Sequence, residues 1–167
     1  MSSTITLNDI SIRTELRPGD IGGILSMHGR LYYKEFGYTG SFEMYVAQSL
    51  VEFVELYHPE RNRIWVCEHR DRMIGTLVLL DRGEVAQLRY FLLEPEYRGF
   101  GLGSKLLDQF MECLHLCSYK SSYLWTTEQQ LTAAKLYKRY GYELTEEKSS
   151  TAFGVSLIEQ RYDLILD

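Results

Sequence analysis

The stretch that most constrains this chain runs from Ala86 to Cys117, AQLRYFLLEPEYRGFGLGSKLLDQFMECLHLC. Ala86 to Leu93 is rich in leucine and aromatic residues and closes at Glu94-Pro95, the pattern of a buried strand and its end. From Ser104 onward, Leu106, Leu107, Phe110, Met111 and Leu114 recur at helical spacing, so that helix has one apolar face. Between the two lies Arg98-Gly99-Phe100-Gly101-Leu102-Gly103-Ser104. Three glycines in five positions allow a tight bend and let an anion approach the amides without meeting a Cβ. Those amides open a helix, where N–H groups lack partners and the dipole favours a phosphate. The stretch reads as a pyrophosphate cradle between a central strand and a helix.

Two better-known glycine motifs do not fit. A dinucleotide fingerprint needs its third glycine where Ser104 stands, and no Gly-Lys-Ser/Thr opens the helix as in a P-loop. Arg98-x-x-Gly101-x-Gly103 instead resembles the Arg/Gln-x-x-Gly-x-Gly/Ala motif of the GNAT superfamily, the acetyl-CoA-dependent N-acetyltransferases. An ordinary strand–loop–helix turn, whose glycines only cap and bend, is the alternative that the motif alone leaves open.

Length and charge narrow the function. A chain of 167 residues is most simply one domain, here residues 1–167, with room for a substantial core. A net charge of −5 excludes a broad nucleic-acid-binding surface. An anionic cofactor would need a local basic patch, for which Arg98, Lys105, Lys135, Lys138 and Arg139 are the candidates. The three cysteines include no CxxC pair, which argues against a disulfide framework or a zinc site. The N-terminus has no basic start and no apolar run, and no segment is apolar over the length of a bilayer, so a cytoplasmic protein without membrane partners is expected.

The remaining pattern supplies the element order. Ile10, Ile12, Thr14 and Leu16 alternate with polar residues as in a half-exposed strand, and Asp20 is placed to cap the next helix. Ile21 to Phe36 and Phe42 to Tyr57 keep a helical period, with Gly37 as a C-cap. Ile64 to Glu68 and Met73 to Asp81 form a hairpin, and Thr76 to Leu80 is apolar enough to be buried on both faces. After the central strand and its helix come a strand at 122–127, a helix over 131–140 closed by Gly141, and strands at 142–146 and 157–166. Glu147 to Phe153, polar and small, is the expected loose segment. The order predicts an α/β fold with a mixed, mostly antiparallel central sheet, helices on both faces, and one parallel crossover through the 104–117 helix.

That element order is also the order of the GNAT fold, and Ala133-x-x-Leu136-Tyr137-x-x-x-Gly141-Tyr142 resembles a second signature of the superfamily. Leu124-Trp125-Thr126, the Ala133-Ala134 helix, Ser150 to Gly154, His28-Gly29-x-Leu31-Tyr32 and Glu35-Phe36-Gly37-Tyr38 look like the acetyltransferase half of proteins fused to MarR-type regulators. Two positions depart from the pattern: Gln130 and Thr127 stand where many members carry asparagine.

The resemblance implies a division of labour. Phe91, Leu92 and Leu93 would pair with pantetheine amides if the central strand splays from its neighbour there. The amides of Arg98, Gly99, Phe100, Gly101, Leu102, Gly103 and Ser104 would hold the pyrophosphate of acetyl-CoA, with Ala134 and Tyr137 also against the cofactor. Arg98 would position phosphate; its alternative is a solvated surface arginine. Tyr137 would be the general acid for a thiol of pKa about 8.5, with a phenol of about 10 that ionises at high pH. Its alternative is a core aromatic on an apolar helix face. His28, Tyr32 and Glu35 lie on neighbouring turns of the first helix, which borders the acceptor groove in that fold. His28 is a candidate base, Glu35 a candidate ammonium ligand, and Glu128 a base acting through water. The implied activity is acetyl transfer from acetyl-CoA to a primary amine of a small molecule, amino acid or peptide, by a monomer or homodimer. A catalytically idle acyl-CoA sensor, or a module that docks on a regulator, is the competing reading.

Overall fold

The structure, a computed structural model, describes residues 4–167. A short 3-10 turn, Leu7–Asp9, precedes strand β1 (Ser11–Arg13) and two long helices, α1 (Asp20–Phe36) and α2 (Gly40–Leu56). Strands β2 (Arg63–His69), β3 (Arg72–Arg82) and β4 (Val85–Leu93) follow as a meander. Then come α3 (Leu102–Leu116), β5 (Ser121–Thr127), α4 (Leu131–Arg139), β6 (Glu143–Ser150) and β7 (Leu157–Ile165). The seven strands form one sheet in the order β1-β2-β3-β4-β5-β7-β6, and only β4 and β5 run parallel. The expected α/β fold and its single crossover are therefore present.

Each face of the sheet carries its own core. Leu106, Leu107, Phe110 and Leu114 turn the apolar stripe of α3 onto Leu77, Leu79 and Leu88. On the opposite face, Val46, Leu50 and Phe53 of α2 pack with Ile64, Val66 and Val78. Thr76 to Leu80 is buried throughout, because β3 lies between two paired neighbours with helices above and below.

Three local expectations are corrected. Strand β1 covers only Ser11–Arg13, since Arg13 donates to the Glu15 carbonyl and to Asp20 and turns the chain away from the sheet. Asp20 is the first residue of α1; Gly19, at φ +94°, is the cap. The buried Asp20 carboxylate instead accepts the Arg17 amide and pairs with Arg13, which holds it below the usual carboxylate range against the opposing effect of burial. Glu147 to Ser150 belongs to β6, where pairing with β7 outweighs its polar composition, so the connection shrinks to Thr151–Ser156.

Two irregularities shape the middle of the sheet. The parallel pairing of β4 with β5 ends at Gln87 and Tyr123, and beyond it the strands diverge. In β4 the register with β3 shifts opposite Thr76–Val78, and Tyr90 takes φ +48° there. The Thr76 hydroxyl donates to the Tyr90 carbonyl at 2.7 Å and holds the bulge. The consequence is that neighbours Arg89 and Tyr90 both reach α2, Arg89 to Tyr45 and Tyr90 to Ser49.

Candidate active site

The divergence of β4 from β5 leaves the β5-facing edge of Leu88–Leu93 without a strand partner. Past its end, the glycine turn bends as its composition requires. Gly99 and Gly101 have φ of +86° and +96°, a region that L side chains resist, whereas Gly103 has ordinary helical geometry and packs against Phe91 and Leu136. Gly101 caps α3, and the first-turn amides of Leu102, Gly103 and Ser104 face out of the helix start. A Cβ at Gly99 would meet nothing within 4 Å, and one at Gly101 only Leu7 at 3.9 Å, so the cradle is open on its outer side. An open strand edge leading to an open helix N-terminus fits a pantetheine arm followed by a pyrophosphate. Lys105, in the first turn of α3, and Lys135, Lys138 and Arg139 of α4 are all exposed. Arg98 is not free: its Nε donates to the Leu93 carbonyl at 2.9 Å and its Nη2 pairs with Glu35 at 2.8 Å.

On the α1–α2 side the same divergence opens a cavity of about 110 Å³. Its wall is mostly aromatic: Tyr32, Tyr38, Tyr90, Trp125, Tyr137 and Phe153 all contribute. Ring stacking fixes the arrangement. Tyr32 lies parallel to His28 with centroids 5.8 Å apart, and Phe153 reaches from the β6–β7 connection to Tyr38 and Phe42 at 5.4 and 5.0 Å. The Thr39 amide donates to the Phe153 carbonyl at 3.0 Å, and a Cβ on Gly154, at φ +83°, would run into the Thr39 side chain. A chain of polar contacts crosses the inner end: Tyr32 donates to Gln130, Gln130 to Thr127, and Thr127 meets the Tyr38 hydroxyl at 2.8 Å. Gln130 and Thr127, the two departures from the family pattern, thus tie α1 to the start of α4.

Titratable groups in the cavity are shifted by burial. Tyr137 is 5% exposed; burial, followed by the neighbouring Tyr32 and Tyr142, pushes its phenol far above the ordinary range, with no hydrogen bond offsetting it. The Tyr137 phenol is therefore protonated near neutral pH, and its ionisation is displaced upward from the ordinary phenol range. Burial drives His28 down to about 4. Its Nδ1 sits 2.8 Å from the Ile24 carbonyl, which can only accept, so the proton is on Nδ1 and Nε2 is bare. His28 is neutral near pH 7. The Thr126 hydroxyl, on the same wall and buried, is the one buried side-chain polar atom without a partner among the described residues.

The structure separates the candidates. His28, Tyr32, Phe91 and Tyr137 share the cavity. Glu35 turns instead toward Arg98. Glu128 lies outside the cavity wall; its carboxylate accepts the Ile158 amide at 2.7 Å. Ala134 is half-buried near the base of α4, where its amide bonds the Gln130 carbonyl. Sequence reasoning missed Arg89, Tyr90, Thr126 and Glu159, which reach the cavity from strands. The bulge at Tyr90 has no sequence signal, but the strict alternation of β7 could have flagged Glu159 as sharing a face with Leu157.

Comparison with known proteins agrees with this geometry. Residues 60–144, 85 of the 167, match the family model of the acetyltransferase (GNAT) domain. An uncharacterized N-acetyltransferase of Schizosaccharomyces pombe is 26% identical over 142 residues, covering 83% of this chain and 86% of that protein. One of Methanocaldococcus jannaschii is 25% identical over 101 residues, 56% of this chain, which spans only 45% of that relative. A crystal structure of an acetyltransferase from Streptococcus agalactiae superposes with a TM-score of 0.73 at 17% identity, over 96% of this chain and 100% of that one. The spermidine N-acetyltransferase of Vibrio cholerae, solved with CoA and spermine, gives 0.69 at 18% identity, over 95% and 96%. The family match, with the sheet and helices of the GNAT fold around an open strand edge, makes this chain a member of the GNAT acetyltransferase family.

Proposed function

We propose that residues 1–167 act as one N-acetyltransferase domain that moves an acetyl group from acetyl-CoA directly to a primary amine. The observation that carries this reading is the position of Tyr137, whose phenol stands where the opened β4 edge meets the aromatic cavity. GNAT acetyltransferases use acetyl-CoA, which supplies an acyl group activated as a thioester. Phe91, Leu92 and Leu93 would bind the pantetheine arm through the open edge of β4, and Arg98 to Ser104 would bind the pyrophosphate. Tyr137 holds at Oη the proton that a departing thiol requires. The amine would enter the cavity beside Tyr32 and His28, with Glu159, the carboxylate on its wall, to draw an ammonium group in and take its proton. Direct transfer is supported by the placement of the cysteines. None lines the cavity; Cys67 is buried under α3 with its thiol pushed up to about 12, and Cys113 and Cys117 lie at the far end of α3.

Thiol release from acetyl-CoA across a panel of primary amines tests the proposal. Amine-dependent release is expected, and mass spectrometry should find the amine heavier by one acetyl group. Tight acetyl-CoA binding with no release for any amine would overturn it in favour of an acyl-CoA sensor.

A further inference from the structure

The cavity wall carries one arginine and one glutamate, and they do not neutralise each other. Arg89 stands on β4 with its guanidinium over the Tyr90 ring at 4.9 Å and the Tyr45 ring at 5.9 Å, and no carboxylate pairs with it among the described residues. Glu159, on β7, has its nearest cation, Lys148, only at 4.0 Å. Arg13, Arg82 and Arg161, which also stand on strands, each pair with an acid. A stacked, half-buried guanidinium is pre-oriented for a planar anion, which it grips through two parallel N–H groups. The bulge at Tyr90 aims it, since without the extra residue Arg89 and Tyr90 would point to opposite faces.

We infer that the acceptor is a free amino acid, its carboxylate held by Arg89 and its amino group drawn to Glu159. This rests on the acetyltransferase reading of the same cavity. The lining narrows the class further. The wall of the opening is mostly aromatic, so an apolar side chain beside the carboxylate suits it.

The test uses matched pairs that differ only in the carboxylate: leucine and 3-methylbutylamine, methionine and 3-(methylthio)propylamine, phenylalanine and phenethylamine. Calorimetry on the CoA-loaded protein should show at least one amino acid binding tenfold or more tightly than its decarboxylated partner. Arg89→Met should abolish that preference and Arg89→Lys keep part of it, with both variants folded by circular dichroism. Binding of the plain amines at equal or higher affinity, a preference that survives in Arg89→Met, or no binding by any member of the panel would overturn the inference. The two readings fail separately. An amino acid that binds through Arg89 but is never acetylated defeats the transferase proposal alone, whereas amines acetylated without regard to a carboxylate defeat this inference alone.

Discussion

The two sides of the opening between β4 and β5 are built from different materials. The proposed cofactor side presents main chain: an unpaired strand edge, two glycines at positive φ and the first-turn amides of α3. The proposed acceptor side presents side chains, contributed by α1, α2, β4, β5, α4, β7 and the β6–β7 connection. Backbone groups are common to every sequence that can adopt the bend, so such a surface recognises what all its ligands share. A side-chain surface changes with each substitution and can differ between relatives that keep the cradle. On the proposed reading, recognition of a common cofactor and choice of an acceptor are separated across one gap.

Substitutions should respect that separation. The largest effect is expected where the sides meet: Tyr137→Phe keeps the ring in the core and removes the proton donor, so kcat should fall about 10²- to 10⁴-fold. The acetyl-CoA dissociation constant should change by less than about threefold, measured by calorimetry. The wild-type rate should show no alkaline limb from this phenol, because burial keeps it protonated. A variant with wild-type kcat in a chemistry-limited assay would make Tyr137 a core aromatic only.

Gly101→Val comes next. Forcing a β-branched residue to φ +96° costs roughly 1–3 kcal/mol or displaces the turn, so acetyl-CoA affinity should drop about 10- to 100-fold in a folded protein. Binding of a CoA-independent acceptor ligand should be unaffected. An unchanged acetyl-CoA affinity would remove the cradle from the argument.

His28 gives a stability test of similar size. Its folded pKa of about 4 lies below the ordinary value of 6.5, so the unfolded chain binds the proton more readily. The neutral ring's full contribution is present above about pH 6.5 and is lost as pH falls toward 4, up to about 3 kcal/mol. The unfolding midpoint should therefore fall across that window in the wild type and less in His28→Phe. Equal pH slopes would show that His28 titrates normally.

The smallest effects sort the carboxylates. Glu159→Gln should raise KM for the acceptor about tenfold, while Glu128→Gln, whose oxygen only accepts the Ile158 amide, should leave kcat within about twofold. Glu35→Gln releases Arg98 from a half-exposed ion pair and should tighten acetyl-CoA binding by a few-fold at low salt, an effect that fades as salt is added. A Glu35 variant that altered acceptor KM instead would move Glu35 to the other side of the gap.

The difference in material also explains what the sequence disclosed. Gly99 and Gly101 announce the turn because backbone freedom is a property of residue type and spacing, readable without the rest of the molecule. The element order was legible for the same reason, since it follows from local periodicity. The cavity was not. His28, Tyr32 and Tyr137 were found on helices whose periods could be counted, but Arg89 faces α2 only because a bulge shifts the register at Tyr90. Glu35 lies one helical turn from Tyr32, yet Arg98, 63 positions away, claims it. The ends of strands β1 and β6 were missed where a single ion-paired turn or a tertiary partner strand overrode local preference.

The clasp between Thr39 and Phe153–Gly154 has a consequence for how the molecule comes into being. Its two halves are 114 residues apart, so a chain emerging from the ribosome releases α1 and α2 long before the segment that covers their aromatic rings. Until that segment arrives, Tyr38, Phe42 and Tyr45 lack the Phe153 ring that packs against them. The glycine turn and α3 emerge earlier, beside the meander they pack on. A nascent chain would thus gain its glycine turn before its aromatic cavity, and a chaperone that shields exposed aromatics would find its target on the helical hairpin of α1 and α2.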